Sequence, residues 1–181
     1  MEFVKNPKMA RLYRNVVVTE KIDGTHGAIF ISEDGELQVG SRNRFLGDGK
    51  RLDNFGFCHW VTLNADQLIE TLGPGIHRGE WWGAGIQRRY DLDCKVFSLF
   101  AVHRFTAQDV THIQGLDVVP ILYQGRYTDD VLRYQLEHLE KRGSYAAPGF
   151  MDPEGLVMYH EASKQSFKYT LKGDGHKGVR A

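Results

Sequence analysis

A lysine near the end of an apolar segment is the first residue whose type and position suggest chemistry. Lys21 closely follows three consecutive valines and precedes Gly24 and Gly27. The end of a strand holds a side chain firmly, and a glycine lets a bulky ligand approach the backbone. A lysine amine is a nucleophile only when it is neutral, so such a site has to favour that form. Taken alone, the segment fits either a nucleophile or an ordinary surface lysine beside a turn.

Two glutamates and a phenylalanine occupy predicted strands further along the chain. Glu80 precedes two tryptophans, and its carboxylate could accept hydrogen bonds from a ribose hydroxyl. Phe97 lies in a segment whose alternation places Ser98 and Phe100 on the opposite face, so that one aromatic ring could stack on a base. Glu154 begins an apolar strand beside a glycine, which suits a Mg²⁺ ion that keeps most of its water ligands. Taken alone, each also fits an ordinary residue of a sheet.

The last predicted strand carries two lysines and a threonine at alternating positions. Lys168, Thr170 and Lys172 would therefore share one face of that strand. Two cations and a hydroxyl on one edge can bind a phosphate. Lysines on an edge strand are equally typical of protection against aggregation.

The surrounding pattern predicts many strands and two clear helices. The helices span residues 64–72, with Asn64 as the N-cap, and residues 129–142, capped by Thr128 and ended by Gly143. Short apolar runs bounded by turn residues predict the strands, which are 16–21, 28–32, 36–40, 76–82, 95–102, 118–124, 155–160 and 165–171. Because these elements do not follow βαβ order, and no glycine-rich phosphate loop follows a strand, the sequence predicts an α+β fold of antiparallel sheets with flanking helices.

The composition limits the classes of protein. The chain has 181 residues, which suffices for one domain with its own core. Its 23 basic and 23 acidic residues cancel, which argues against a general electrostatic grip on nucleic acid but not against a local basic channel. No apolar run approaches the roughly 20 residues of a membrane helix, and the charged N-terminus is unlike a signal peptide. We therefore expect a cytoplasmic protein.

The order of the candidate residues along the chain is more informative than any one of them. A nucleophile candidate, an arginine, two carboxylates and a second lysine form a widely spaced series: Lys21, Arg42, Glu80, Glu154 and Lys168. This series resembles the motifs of the covalent nucleotidyltransferases, which include ATP-dependent RNA and DNA ligases and mRNA capping enzymes. The most similar type is RNA ligase 2, whose nucleophile motif Glu-Lys-x-x-Gly-Thr matches residues 20–25 at every fixed position.

The resemblance implies a role for each matched residue. Lys21 would attack the α-phosphorus of ATP and carry AMP through a phosphoramidate bond. Glu20, the fixed glutamate of the motif, and Arg42 would belong to the nucleotide-binding set. Glu80 would contact the ribose, and Phe97 would stack on adenine.

The last two motifs supply a metal-associated carboxylate and the cations that hold the α-phosphate. Glu154 matches the first and Lys168 the second. The family usually has a further lysine two residues later, where this chain has Thr170. Lys172 lies two residues beyond it on the same predicted face, so either Thr170 or Lys172 would fill this position.

The resemblance also implies a function. It implies an ATP-dependent RNA ligase that joins a 5′-phosphate to a 3′-hydroxyl through a lysine–AMP intermediate, with ATP and Mg²⁺ or Mn²⁺ as cofactors. A DNA ligase or a capping guanylyltransferase of the same superfamily, and a degenerate domain that only binds nucleic acid, remain alternatives. RNA ends would be held by basic residues among Arg42, Arg44, Lys50, Arg51, Arg88 and Arg89.

The expected domain organisation is simple. Residues 1–172 would form the adenylyltransferase domain, which is nucleotidyltransferase-type and ATP-grasp-like, and residues 173–181 a short C-terminal tail. Related ligases usually add a further C-terminal domain, and the resemblance leaves open whether a partner protein supplies one.

Overall fold

The computed structural model describes residues 2–4, 6, 9–47 and 53–172, so that Lys50, Arg51 and the expected tail 173–181 lie outside the described residues. Helices and strands alternate irregularly along the described chain. In order they are β1 (Asn15–Lys21), β2 (Thr25–Ile31), β3 (Leu37–Gly40), α1 (Phe57–Leu63), α2 (Ala65–Leu72), β4 (Gly75–Gly83), β5 (Lys95–Leu99), α3 (Ala107–Val110), β6 (Leu116–Val118), β7 (Ile121–Arg126), α4 (Asp129–Arg142), β8 (Gly155–His160) and β9 (Gln165–Thr170).

The strands form two sheets. The four-stranded sheet has the order β7-β1-β8-β9, and the five-stranded sheet has the order β3-β2-β4-β5-β6. Every neighbouring pair is antiparallel except β5 and β6, which are parallel. The α+β class and the flanking helices are confirmed, while the expectation of wholly antiparallel sheets is wrong for this one pair. A parallel neighbour needs a long crossover, and the segment that contains α3 provides it.

Each sheet has its own apolar core. The five-stranded sheet packs against α1 and α2 and buries a large aromatic and aliphatic cluster that includes Ile29, Phe57, Leu68, Trp81 and Phe97. The four-stranded sheet packs against α4 around a smaller cluster that includes Val16, Val18, Leu132, Leu156 and Met158. Full burial of one such side chain stabilises the fold by about 1.5–3 kcal/mol.

A third cluster lies where the chain passes from one sheet to the other. Ile22, just after β1, packs with Trp82 of β4, Tyr90, Val119 and Ala147. Ile22 comes directly after Lys21, so this cluster fixes the backbone on which the candidate nucleophile stands.

The long helix agrees with its sequence signals, and the shorter one departs from them. Helix α4 spans Asp129–Arg142, and its N-cap Thr128 accepts a hydrogen bond from the Val131 amide. Helix α2 begins after Asn64, but the Asn64 side chain makes no capping bond. Instead it donates to the carbonyl of Trp60 in α1, a short helix that the sequence pattern did not predict.

Several predicted strands have different bounds in the structure, and two of these differences have a visible cause. The run 118–124 is divided, because β6 ends at Val118 in one sheet and β7 begins at Ile121 in the other. Pro120 lies between them, and a proline cannot donate to a strand ladder. Strand β5 ends at Leu99 rather than at residue 102, because the Ala101 carbonyl accepts hydrogen bonds from the amides of Arg104 and Phe105 in a turn.

No helix among the described residues is both long enough and apolar enough to span a membrane.

Candidate active site

Strand pairing places the candidate nucleophile beside a carboxylate that is distant in sequence. Lys21, the last residue of β1, is in register with Gly155, the first residue of β8, and Glu154 immediately precedes it. The Lys21 amine lies 2.5 Å from Glu154 Oε2. Their side chains are 24% and 17% exposed, so the pair is largely buried but still reached by solvent. The residue predicted as the nucleophile and the residue predicted as the metal ligand are therefore in direct contact.

The last strand adds a second cation to the same sheet face. Lys168 is in register with Val157, and Val157 is in register with Thr19, so Lys168 lies on the same face as Thr19 and Lys21. Thr170 is in register with Gly155 and therefore lies level with Lys21 across that glycine. Gly155 has a φ of 155°, and a Cβ there would overlap the Tyr169 carbonyl oxygen. A side chain is thus excluded between Lys21 and Thr170.

Lys172 is not brought to this face. It lies beyond the end of β9, and its amine is 2.8 Å from Asp152 Oδ1 in an exposed ion pair. The hydrogen bond from Lys172 lowers the pKa of Asp152, and the nearby Arg88 acts in the same direction.

The Glu80 side chain contacts the turn that follows Lys21. It stands on β4 in register with His26, and its Oε1 accepts a hydrogen bond of 3.1 Å from the Gly24 amide. A Cβ at Gly24 would lie 2.7 Å from the Trp82 Cβ, so only glycine permits this close approach. Burial raises the pKa of Glu80 to about 7, although the charges of Lys21 and Arg42 and the Gly24 hydrogen bond act in the opposite direction.

A polar pocket of about 520 Å³ opens beside Glu80. Arg42 and Arg44, from the segment after β3, line it together with Thr25 and His26 of β2. Burial and the charges of Arg42 and Arg78 lower the pKa of His26. The pocket therefore presents two permanent cations and a histidine that favours its neutral form.

The structure does not bring Phe97 to this pocket. Its side chain is fully buried and its ring lies 4.7 Å from the ring of Phe57, on the opposite face of the sheet from Glu80. Phe100 follows β5 by one residue, is 42% exposed, and lies 5.9 Å from the His26 ring. Phe100, which alternation separates from Phe97, thus lies beside His26, one of the residues that line the pocket.

Glu20 is also directed away from Lys21. It lies on the opposite face of β1 and is 1% exposed. Its carboxylate accepts hydrogen bonds from the Ser144 hydroxyl (2.6 Å) and from the amides of Tyr145 (2.7 Å) and Ala146 (2.9 Å). Burial raises the pKa of Glu20 despite these three donors. Its geometry is that of an anchor for the segment after α4 and not of a nucleotide ligand.

Four residues from the segments next to Lys21 and Glu154 and from the loop after β4 interact with one another, and sequence reasoning did not assign them to this site. Asp23 and Asp152 both form ion pairs with Arg88, and Tyr90 accepts a hydrogen bond from the Asp23 amide. Arg88 was expected among residues that hold RNA, but among the described residues it forms ion pairs with Asp23 and Asp152 of the same chain. Only the short Lys-x-Asp-Gly pattern around Asp23 gave any sequence signal, because Arg88 and Asp152 are far apart along the chain.

Glu154 is the metal-ligand candidate of this site. The described ranges contain no group of three or more His, Cys, Asp or Glu residues that could hold a metal ion. Mg²⁺ in phosphoryl-transfer sites is commonly bound by one or two carboxylates, substrate phosphates and several waters. A single glutamate beside two lysines fits that kind of ion and does not fit a cage made of protein ligands alone.

Comparisons with known proteins identify solved structures with a similar fold. Among solved structures, a mutant of the Naegleria gruberi RNA ligase with AMP and Mn matches with a TM-score of 0.65 and 20% identity, over 89% of this chain and 51% of that one. Another mutant of the same ligase, with ATP and Mn, matches with a TM-score of 0.63 and 20% identity, over 92% and 53%. The ligase with pyrophosphate matches with a TM-score of 0.63 and 19% identity, over 93% and 56%.

These matches concern the fold, and the chain spans about half the length of the solved ligases it matches. No curated protein matches the sequence significantly. The family described as RNA ligase matches residues 14–170, which include both sheets and nearly all of the candidate site. The chain therefore belongs to the RNA ligase family.

Proposed function

We propose that this chain is an ATP-dependent RNA ligase that joins a 5′-phosphate to a 3′-hydroxyl through a Lys21–AMP intermediate. The observation that carries the proposal is the 2.5 Å contact between the Lys21 amine and Glu154, on a face that Lys168 shares. A surface lysine needs neither a half-buried carboxylate partner nor a second lysine on its face. A group that becomes covalently bound to phosphorus benefits from both.

The first step forms the covalent intermediate. The Lys21 amine gives up a proton, for which the Glu154 carboxylate is the adjacent acceptor, and its nitrogen bonds to the α-phosphorus of ATP. The bond from that phosphorus to the bridging oxygen breaks, and pyrophosphate leaves. Lys168 would stabilise the charge on the phosphate oxygens, with the Thr170 hydroxyl rather than Lys172 at the second position, because Thr170 is level with Lys21.

The nucleoside would bind in the pocket next to Glu80. The Glu80 carboxylate would contact the ribose, and Arg42 would contact phosphate oxygens. We assign adenine stacking to Phe100 instead of Phe97, since Phe100 is partly exposed beside His26 whereas Phe97 is buried in the core.

A divalent cation, Mg²⁺ or Mn²⁺, would neutralise charge on the phosphates and would be held by Glu154 and waters. The Naegleria gruberi ligase has been solved with ATP and Mn, and the family match supports the same cofactors for this chain.

The last two steps transfer AMP and then release it. An oxygen of the RNA 5′-phosphate bonds to the AMP phosphorus while the nitrogen–phosphorus bond breaks, which regenerates the lysine. The 3′-hydroxyl then bonds to the 5′-phosphorus, and AMP leaves. Arg42 and Arg44 border the pocket and would contact the RNA phosphates.

We also propose that residues 1–172 form the adenylyltransferase domain. The third apolar cluster, which joins residues next to both sheets, supports their acting as one unit. We further propose that the protein acts in the cytoplasm; neither Cys58 nor Cys94 forms a disulfide, which suits a reducing compartment.

Covalent labelling tests the proposed function. Incubation of the protein with ATP labelled at the α-phosphate, together with Mg²⁺, should give a covalent protein–AMP adduct that survives denaturation of the protein. The Lys21→Ala variant should give none, and Lys164→Ala, which changes an exposed lysine in the β8–β9 turn, should label like the unmodified protein. Joining of a nicked RNA duplex then tests the later steps.

Three results would contradict the proposal. Labelling that persists in Lys21→Ala would place the adduct elsewhere. Labelling by GTP instead of ATP would indicate a capping enzyme, and sealing of DNA nicks but not RNA nicks would indicate a DNA ligase.

A further inference from the structure

Arg88 bridges two segments that are distant in sequence. Its Nε lies 3.0 Å from Asp23 Oδ2, and its Nη1 donates to Asp152 Oδ2 at 2.7 Å and to the Asp152 carbonyl oxygen at 3.2 Å. The Arg88 side chain is only 22% exposed. One guanidinium thus contacts two carboxylates at once, which a lysine ammonium on a single stem does not do with the same fixed geometry.

The two carboxylates flank the two partners of the candidate active site. Asp23 is two residues after Lys21, and Asp152 is two residues before Glu154. Arg88 therefore joins the same pair of segments as the Lys21–Glu154 contact does, through a second and separate set of contacts. Within the part of the chain that the structure describes, Arg88 does not line the pocket beside Glu80 and Arg42.

The backbone that carries Arg88 is strained. Four neighbouring residues other than glycine have positive φ angles: Gln87 (44°), Arg89 (62°), Tyr90 (52°) and Asp91 (53°). Each left-handed residue of this kind costs about 1–2 kcal/mol. Such strain persists only where the surrounding structure imposes it.

Tyr90 holds this loop in place. It is 1% exposed, its ring packs 4.8 Å from Trp82 and 4.7 Å from Phe150, and its hydroxyl accepts a 2.8 Å hydrogen bond from the Asp23 amide. The loop is therefore fastened to the segment of the nucleophile twice, through Tyr90 and through Arg88.

We propose that Arg88 is a positioning residue, which keeps the Lys21 and Glu154 segments together while the amine reacts; this inference rests on the proposed function. Before reaction, the charges of Lys21 and Glu154 attract each other. Once the nitrogen bonds to phosphorus its charge is gone, and that attraction is lost. The guanidinium of Arg88 stays protonated throughout, so its bridge between Asp23 and Asp152 persists in every step.

The test compares variants of Arg88 in the full chain. Arg88→Met removes the ion pairs with both Asp23 and Asp152. Arg88→Lys keeps the positive charge but lacks the planar guanidinium that contacts two carboxylates at once. Arg133→Met is the matched control, because Arg133 is exposed and its ion pair with Asp130 lies within one turn of α4. The measurements are the rate constant of Lys21–AMP formation at saturating ATP and the ATP concentration that gives half of that rate.

A positioning role predicts a loss in rate and not in affinity. A displacement of about 1 Å in a reacting group can cost about 100-fold, so we expect a fall of about 100-fold for Arg88→Met and about 10-fold for Arg88→Lys. The half-saturating ATP concentration should change less than about threefold in both variants, because Arg88 does not line the pocket. Arg133→Met should label like the unmodified protein.

A double-mutant cycle sharpens the test. If Arg88 acts through Asp152, then the combination of Arg88→Met with Asp152→Asn should be no slower than Arg88→Met alone. Additive losses would overturn the inference. If Arg88→Met does not fold, as judged by thermal unfolding, then Arg88→Lys decides, and an unchanged rate in that variant would overturn it too.

The outcomes separate this inference from the proposed function. If the unmodified protein forms no adduct, then both are overturned. If it forms the adduct and Arg88→Met does so at the same rate, then only the role of Arg88 is overturned. The same holds if the loss in Arg88→Met appears entirely as weaker ATP binding.

Discussion

The two sheets bury their side chains differently. One face of the five-stranded sheet is covered by α1 and α2, and Phe97, Trp81 and Leu99 are almost wholly buried there. The four-stranded sheet has a smaller core, and four consecutive residues of its edge strand, Gln165–Lys168, are exposed. Lys21, Glu154 and Lys168 come from this second sheet, whereas Glu80 comes from the first.

This difference suggests that each sheet would bind a different part of ATP. Glu80 lies on β4 of the heavily packed sheet, and Phe100 directly follows β5 of the same sheet. Under the proposed function, both would contact the nucleoside part of ATP. The end of the more open sheet carries the charged groups that, under the proposed function, would bind phosphates. Four predictions test this difference between the sheets.

The largest expected effect is on stability. Phe97→Ala should lower the free energy of unfolding by about 3–5 kcal/mol, because it leaves a cavity in the core beside Phe57. The matched change Phe100→Ala should cost less than about 1 kcal/mol, since Phe100 is 42% exposed, and should instead raise the ATP concentration needed for labelling. Urea unfolding and ATP titration distinguish the two, and equal losses of stability would contradict the assignment of the two faces.

The next effect is on the chemistry of the open sheet. Glu154→Gln should slow Lys21–AMP formation by about 100-fold, because the amide cannot accept the proton of the amine. Stability should change little, as the site is partly exposed. Glu161→Gln, which changes an exposed glutamate in the β8–β9 turn, is the control. A rate equal to that of the unmodified protein would remove Glu154 from the proton transfer.

The third effect is a pH dependence of stability that arises at Glu80. Its pKa in the folded protein is about 7 against an ordinary value of 4.5, so the folded state keeps a proton that the unfolded state loses. Stability therefore falls as pH rises between these values. From pH 5 to pH 7 the unmodified protein should lose about 2 kcal/mol relative to Glu80→Gln, measured by urea unfolding. If the free energies of unfolding of the two proteins changed with pH in the same way, then Glu80 would not be a buried carboxyl group with a raised pKa.

The smallest effect is expected at the margin of the open sheet. Lys172→Ala removes an exposed ion pair with Asp152, which is worth about 0–1 kcal/mol. Labelling should fall by less than about threefold. A fall as large as that of Glu154→Gln would mean that Lys172, and not Thr170, fills the second phosphate-binding position.

Local sequence signals predicted much of the fold. Thr128 and Gly143 bound α4 as predicted, because a cap and a left-handed terminus depend on a few adjacent residues. The division of the run 118–124 between two sheets was not predicted. Both halves are short and apolar, so only their strand partners distinguish them.

The candidate site was predictable to a similar degree. Lys21, Glu80, Glu154 and Lys168 follow a motif order, and strand pairing brings Lys21, Glu154 and Lys168 to one end of the same sheet. Phe97 and Glu20 fit the same motifs by residue type, but both are buried and face away from the cluster. A motif gives the residue type at a position, whereas the face depends on the register with neighbouring strands.

The sequence alone thus determined the α+β class, the series of charged residues and the family that they resemble, because these follow from residue types and local periodicity. The tertiary structure decided that Phe97 is buried in the core while Phe100 lies beside His26, and that Arg88 bridges Asp23 and Asp152. The physical reason is that such contacts join residues far apart along the chain, where no local pattern specifies their distance or direction.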